Sequence, residues 1–531
     1  MNQNYVSYLD YQGKYKGLLG WIFSTDHKRI GLLYLYAIVS FFVIGAILGL
    51  LMKLELIAPG KTIMGPEAYN AFFTLHGITM IFLVVIPGIP AVFGNFFLPI
   101  MIGAKDVAFP RLNLLSWWIY VFGAIIALSS QFLGQGSPDT GWTFYAPYTL
   151  KIQTNVLSAV FGAFVLGFSS ILTGINFITT MHRMRAPGMK WMKMPLFPWS
   201  LYATGWIQVL ATPIIGITLL MVIAERLFRI GFFDPSLGGD PTLYQHLFWI
   251  YSHPAVYIMI LPAMGVISDI IPTFARKTIF GYQAIVVSSF GIAIIGYFVW
   301  GHHMFTAGMS APSLFAFSLL TFIVAIPSAI KVFNWVATLY KGSINVQTPF
   351  YWALSFIFVF LIGGLSGLFL GSLSVDVHLT DTAFVVAHFH FIVFGGTGFA
   401  FMAAIHYWFP KIYGRMYDKN WANTGWLIFF MGFLALYFTM FYLGMMGQPR
   451  RTYDYFPQYH AGNIVSSLGA ITMVFGLAII IINLVRSARH GAIAVADPWG
   501  GKTLEWTVPS PPPLENFEEI PKITHDPYDY K

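Results

Sequence analysis

Eight histidines stand in or at the edge of long apolar runs: His76, His246, His253, His302, His303, His388, His390 and His406. Ionisable side chains at membrane depth are costly and are usually kept for a function. Taken singly, each is explained as a ring satisfied by a hydrogen bond between helices. Their spacing says more. His388 and His390 are two apart, so on a helix they point roughly 200° from each other. They cannot easily share one metal, but they can hold two cofactors on opposite sides of one helix. His76, from another run, could complete a second axial position on one of them, giving a six-coordinate iron. The other would keep an open position, as O₂ chemistry requires. His253, His302 and His303 remain as a three-nitrogen set suited to copper. Tyr257 follows His253 by one helical turn on the same face; a phenol there can supply an electron and a proton. The chain has no cysteine, which excludes disulfides, thiolate metal sites and Cys nucleophiles.

The elements that must position these residues are membrane helices. The chain is 57% hydrophobic and 9% charged over 531 residues, with a mean hydropathy of +0.69. Soluble domains carry about 25% charge. About twelve apolar segments reach spanning length: 30–52, 72–102, 113–133, 155–180, 197–224, 243–272, 281–300, 312–338, 350–372, 383–408, 422–446 and 463–486. Such runs satisfy their backbone in lipid only as helices. The expected fold is therefore an all-α polytopic membrane protein. Residues 1–29 form an N-terminal segment, 30–486 the twelve-helix domain, and 487–531 a polar tail, extended through Pro511, Pro512 and Pro513. No cleavable leader is evident in the first 20 residues. An even number of spans puts both termini on one side. Most of the 29 Lys and Arg fall on that side, so it is the cytoplasmic one; the net charge of +8 therefore implies no nucleic acid. The opposite face is slightly acidic and suits a basic soluble partner. With this topology, His76, His253, His302, His303, His388 and His390 lie within one or two helical turns of a common depth.

The segments Thr74–His76–Gly77, Ser252–His253–Pro254 with Val256–Tyr257, Trp300–Phe305 and Val386–His390 together resemble subunit I of the haem–copper oxidases. The resemblance runs from about Thr25 to Phe517. It implies a terminal oxidase of a bacterial inner membrane that reduces O₂ to water and translocates protons. His76 and His390 would ligate a low-spin haem, His388 a high-spin haem, and His253, His302 and His303 the copper CuB, with a covalent His253–Tyr257 link. Arg450 and Arg451 match the pair facing the haem propionates, and Trp249 and Lys53 are further cofactor-binding positions. The haems expected are a and a3. Implied partners are a subunit II carrying the electron-accepting centre, subunit III, smaller subunits, and cytochrome c as donor.

Two proton routes follow from the same resemblance. Asp106, Asn95 and Asn113 match the mouth of the D pathway. Lys331 and Ser328 match the K pathway. Where many relatives carry a proton-relaying Glu, this chain has Ala255, and Tyr251 and Ser252 resemble the subclass that replaces it. Lys53 stands where relatives have Arg near the low-spin haem's formyl. Thr380 replaces the His that, with Asp381, helps bind magnesium; His378 is two positions away. Glu55 and Gly60 match a calcium or sodium site. In quinol oxidases of the family the quinol pocket uses four polar positions, which are Ile44, Leu48, Ala68 and Ala71 here and cannot make those hydrogen bonds. The competing readings are a quinol oxidase, a nitric-oxide reductase and, from a different class, a proton-coupled secondary transporter, which would be colourless.

Overall fold

The computed structural model describes residues 6–530. Its framework is twelve helices: α1 (His27–Glu55), α2 (Pro66–Met101), α3 (Pro110–Ser129), α4 (Val156–Arg183), α5 (Leu196–Phe228), α6 (Pro241–Ala275), α7 (Tyr282–Gly296), α8 (Ala311–Leu339), α9 (Thr348–Gly371), α10 (Ala383–Tyr413), α11 (Lys419–Met445) and α12 (His460–His490). Eleven are long and apolar enough to cross a membrane; α7, with 15 residues, is the short one. Among the described residues the only β pairing is three isolated bridges.

Local chemistry sets the helix starts. Asp26 accepts the amides of Lys28 and Arg29 at the head of α1, and Asp418 does the same for Asn420 and Trp421 at α11, satisfying donors that the first turn leaves free. Pro66, Pro110 and Pro241 occupy first-turn positions where a missing N–H costs nothing. The second helix begins at Pro66, earlier than the apolar run from residue 72, because its first turn is polar but helical. That places His76 ten residues inside the helix, close to the level of His253.

Two helices carry widened, π-type turns. In α2 these cover Thr79–Val85 and Pro90–Gly94; in α10 they cover His390–Gly398. Pro87 lacks the N–H that would bond back to Leu83. The freed Leu83 carbonyl instead accepts the Tyr120 hydroxyl from α3 at 2.6 Å. Such widened turns cluster at functional sites, and here they start just after His76 and at His390.

Neighbouring pairs α3/α4, α4/α5, α5/α6 and α11/α12 pack along their lengths. The most apolar stretches of α6 and α2 are 89% and 83% buried, against 6% for α8, so α2 and α6 form the centre of the bundle and α8 its rim. Both described ends of the chain meet at one end of the bundle, where Tyr8 N–H donates to Pro512 O at 3.2 Å. The segment after α12 is not a free extended tail. Its carbonyls cage buried ammonium groups: Lys28 donates to Leu514 O at 2.8 Å, and Lys411 donates to Ala496 O at 2.8 Å and Val508 O at 2.5 Å. A polar segment packs here because buried cations need oxygen partners.

Candidate functional site: six imidazoles around one cavity

The three-nitrogen set assembles from α6 and the turn after α7. His253 comes from α6; His302 and His303 lie on a short 3₁₀ turn, Trp300–Met304. The sequence places them at the end of the seventh span. Instead α7 stops at Gly296, and the irregular turn brings the two adjacent rings to 4.3 Å between centres. The ligand atoms of His253, His302 and His303 lie within 4.8 Å of one another. His253 Nδ1 and His303 Nε2 are 3.1 Å apart, and His253 Nε2 is buried with no hydrogen-bond partner. His302 Nδ1 bonds Thr321 Oγ1 at 2.9 Å, which turns its Nε2 to the interior. Trp249 stacks on His303 with centres 3.8 Å apart and donates to the Tyr145 hydroxyl. The Tyr257 ring lies 4.9 Å from that of His253.

The other three imidazoles face the same interior. His76 of α2 and His390 of α10 lie nearly parallel, 26° apart, with ring centres separated by 6.4 Å. A metal bound at about 2 Å by one nitrogen of each ring needs a separation of about 6 Å. The far nitrogens are spoken for: His76 Nδ1 with Gly45 O and His390 Nδ1 with Val386 O, each at 2.8 Å. Such bonds fix the tautomer and aim Nε2 at a metal. His388 Nδ1 contacts Gly363 O at 3.1 Å and Ser366 Oγ at 3.0 Å. Gly49 and Gly367 pack closely against these rings: a Cβ at either would press on the His76 or His388 ring at 3.1 and 3.0 Å.

One cavity of about 930 Å³ is lined by all six histidines and by Tyr257, Lys53, Trp249, Tyr251, Ser252, Ser328, Asp381, Arg450 and Arg451. Its size is at the upper end for cofactor sites. Imidazole rings facing the cavity, a cluster of three imidazoles with ligand atoms within 4.8 Å of one another, and a wall of apolar and arginine side chains fit haem and copper. His246 and His406 stand apart: His246 accepts from Trp300, and His406 bonds the Met402 carbonyl.

The family of this chain is then decided by comparison. The family model described as "Cytochrome C and Quinol oxidase polypeptide I" matches residues 29–472. The chain belongs to that oxidase family. Among its relatives, cytochrome c oxidase subunit 1 of Thermostichus vulcanus is 43% identical over 96% of this chain and 92% of the relative. That of Bacillus subtilis is 40% identical, covering 96% and 82%, and that of Cereibacter sphaeroides 42%, covering 94% and 95%. A solved haem–copper terminal oxidase dimer shares the fold, with a TM-score of 0.76 at 22% identity over 87% of this chain and 85% of that one.

Lys331, Asn95, Asn113 and Asp106 fall outside the cavity. Lys331 is buried in α8 and donates to Ser289 Oγ of α7 at 2.7 Å. Asn95 and Asn113 are buried with unpaired amide atoms. Burial, then the nearby Asp26, raises the Asp106 carboxyl to about 7. Among the described residues, neither Asp381 nor Glu55 belongs to a group of three or more His, Asp or Glu ligand atoms. Asp381 is ion-paired with Arg450 at 2.6 Å, and Thr380 is bonded to Asp376. Glu55 accepts the amides of Thr62, Ile63 and Met64, and Gly60 N–H bonds Asp454. Among the described residues, the histidine trio is the one metal-ready group. Sequence reasoning missed Thr321, Ser366 and Ser289, whose roles arise only from packing. It also missed Asp269, a buried acid within α6 that takes the hydroxyl of Tyr528; an acid inside a span was the available signal.

Proposed function

We propose that this chain is the catalytic subunit I of a cytochrome c oxidase, reducing O₂ to water with electrons from cytochrome c and coupling the reaction to proton translocation. The observation that carries the reading is one cavity bounded by a facing imidazole pair 6.4 Å apart, a lone imidazole, and a three-imidazole cluster. His76 and His390 would hold the low-spin haem, His388 the high-spin haem, and His253, His302 and His303 the CuB ion. Together these groups supply one-electron transfer and an open position for O₂. The haems are assigned as a and a3 on the family's pattern, with Lys53 near the low-spin ring.

The protein's own residues orient, hold charge and carry protons. Thr321 and Trp249 fix His302 and His303. The unpaired His253 Nε2 beside the Tyr257 ring supports their covalent link and places a phenolic proton at the reaction site. Arg450 and Arg451 stand at the cavity wall, where guanidinium groups clamp carboxylates. Asp106, with Asn95 and Asn113, is the mouth of one proton route. Tyr251 and Ser252, whose Oγ is unpaired, relay from it to the cavity in place of a Glu. Lys331 and Ser328 form the second route; Ser328 lines the cavity itself.

The termini face the cytoplasm of a bacterial inner membrane, on the side where Lys and Arg concentrate. Without cysteine the chain lacks the ligands of a thiolate copper centre, so electrons arrive through a subunit II; subunit III and smaller subunits complete the assembly. Oxygen uptake by the purified complex tests the donor. Reduced cytochrome c should support turnover and quinol should not, given Ile44, Leu48, Ala68 and Ala71. Preference for quinol would overturn the assignment.

A further inference from the structure

The three imidazoles facing the haem space are held in two different ways. His76 and His390 each have one short contact, 2.8 Å, from Nδ1 to a backbone carbonyl. His388 Nδ1 has two longer ones, 3.1 Å to Gly363 O and 3.0 Å to Ser366 Oγ. The Ser366 hydroxyl donates its own hydrogen to Gly363 O at 2.8 Å. Towards His388 it therefore acts as acceptor. The hydroxyl acts twice: it diverts part of the His388 N–H, and it loads the carbonyl that would otherwise take all of it. Ser366 is buried, so bulk water does not compete. Gly367, one residue on, brings α9 so close that a Cβ there would meet His388 Cε1 at 3.0 Å.

A full N–H bond to a strong acceptor raises the basicity of a ligating imidazole. Dividing that bond lowers it, and a weaker donor favours the reduced state of the iron it holds. We propose that Ser366 is a positioning residue that keeps His388 a weak donor, making the iron on His388 easier to reduce than the iron between His76 and His390. The proposal rests on His388 being the high-spin haem ligand. It gives electron transfer between the haems a direction that is built into α9.

The test uses the purified, fully assembled oxidase. It reads the iron–histidine stretching band of the reduced high-spin haem by resonance Raman, and the equilibrium of one electron between the two haems. Ser366→Ala should raise the stretching frequency and move the electron about threefold to tenfold toward the low-spin haem, the range of one hydrogen bond. Ser366→Cys, with a weak acceptor of similar size, should move both readings the same way. Ser366→Thr should leave both near the parent values. Unchanged readings in the Ala and Cys variants, or a Thr variant shifted as far as Ala, would overturn the proposal. A parent protein without the band, or a band that survives His388→Ala, would instead overturn the ligand assignment.

Discussion

At the residue scale, the six histidines that meet around the cavity could be picked out from sequence because imidazoles in apolar runs have few uses, and a spacing of two on one helix sends two rings to different sides. The groups that hold them could not. Thr321 and Ser366 are ordinary small polar residues whose importance comes from lying 2.9 Å from His302 and 3.0 Å from His388. His302→Ala should leave the low-spin spectrum intact and cut oxygen turnover by more than about a hundredfold, since even supporting residues of a metal site account for tenfold to a hundredfold. Spectra and oxygen uptake on the same preparation check it. Asp106, raised to about 7 by burial and then Asp26, loses its proton as pH rises through neutrality. Turnover limited by this group should fall above about pH 7. Asp106→Asn should flatten that limb while lowering the rate; an unchanged profile would remove Asp106 from the route. Lys331→Met should slow oxygen reduction, and untouched reduction would remove Lys331 in the same way.

At the element scale, apolar runs located the helices well. Three features escaped them. The start of α2 hides in a polar first turn. The early end of α7 leaves His302 and His303 on a turn. The widened turns of α2 accompany prolines and a tertiary partner, Tyr120, and that of α10 carries no proline to announce it. Close helix approach also depends on single atoms. Gly444 of α11 lies against the backbone of Phe384 in α10, and a Cβ there would overlap it. Gly444→Ala should destabilise the bundle by about 1–3 kcal/mol, the usual cost of overpacking, read as a lower thermal midpoint in detergent. A shift confined to the haem spectra, with the midpoint unchanged, would contradict that packing role.

At the scale of the whole molecule, the shared end of the two termini was legible from an even number of spans. The packing of the final segment was not, because its composition is polar and proline-containing. The structure shows why it stays: Lys28 and Lys411 are buried and rely on carbonyls of that segment. Truncation after His490 should therefore abolish accumulation of the folded protein, whereas Tyr528→Phe, which removes one hydroxyl from Asp269, should cost about 1–2 kcal/mol. Expression with and without the segment, followed by thermal unfolding, separates these outcomes.

On the proposed function, two haems and a copper share the cavity. Pyridine haemochrome analysis with copper determination, made on the purified chain with its partner subunits, tests it most directly. Two haems and one copper associated with this chain, with the copper lost in His253→Ala while the low-spin spectrum remains, is the predicted result. A colourless preparation, or haem without copper in the parent protein, would contradict the account.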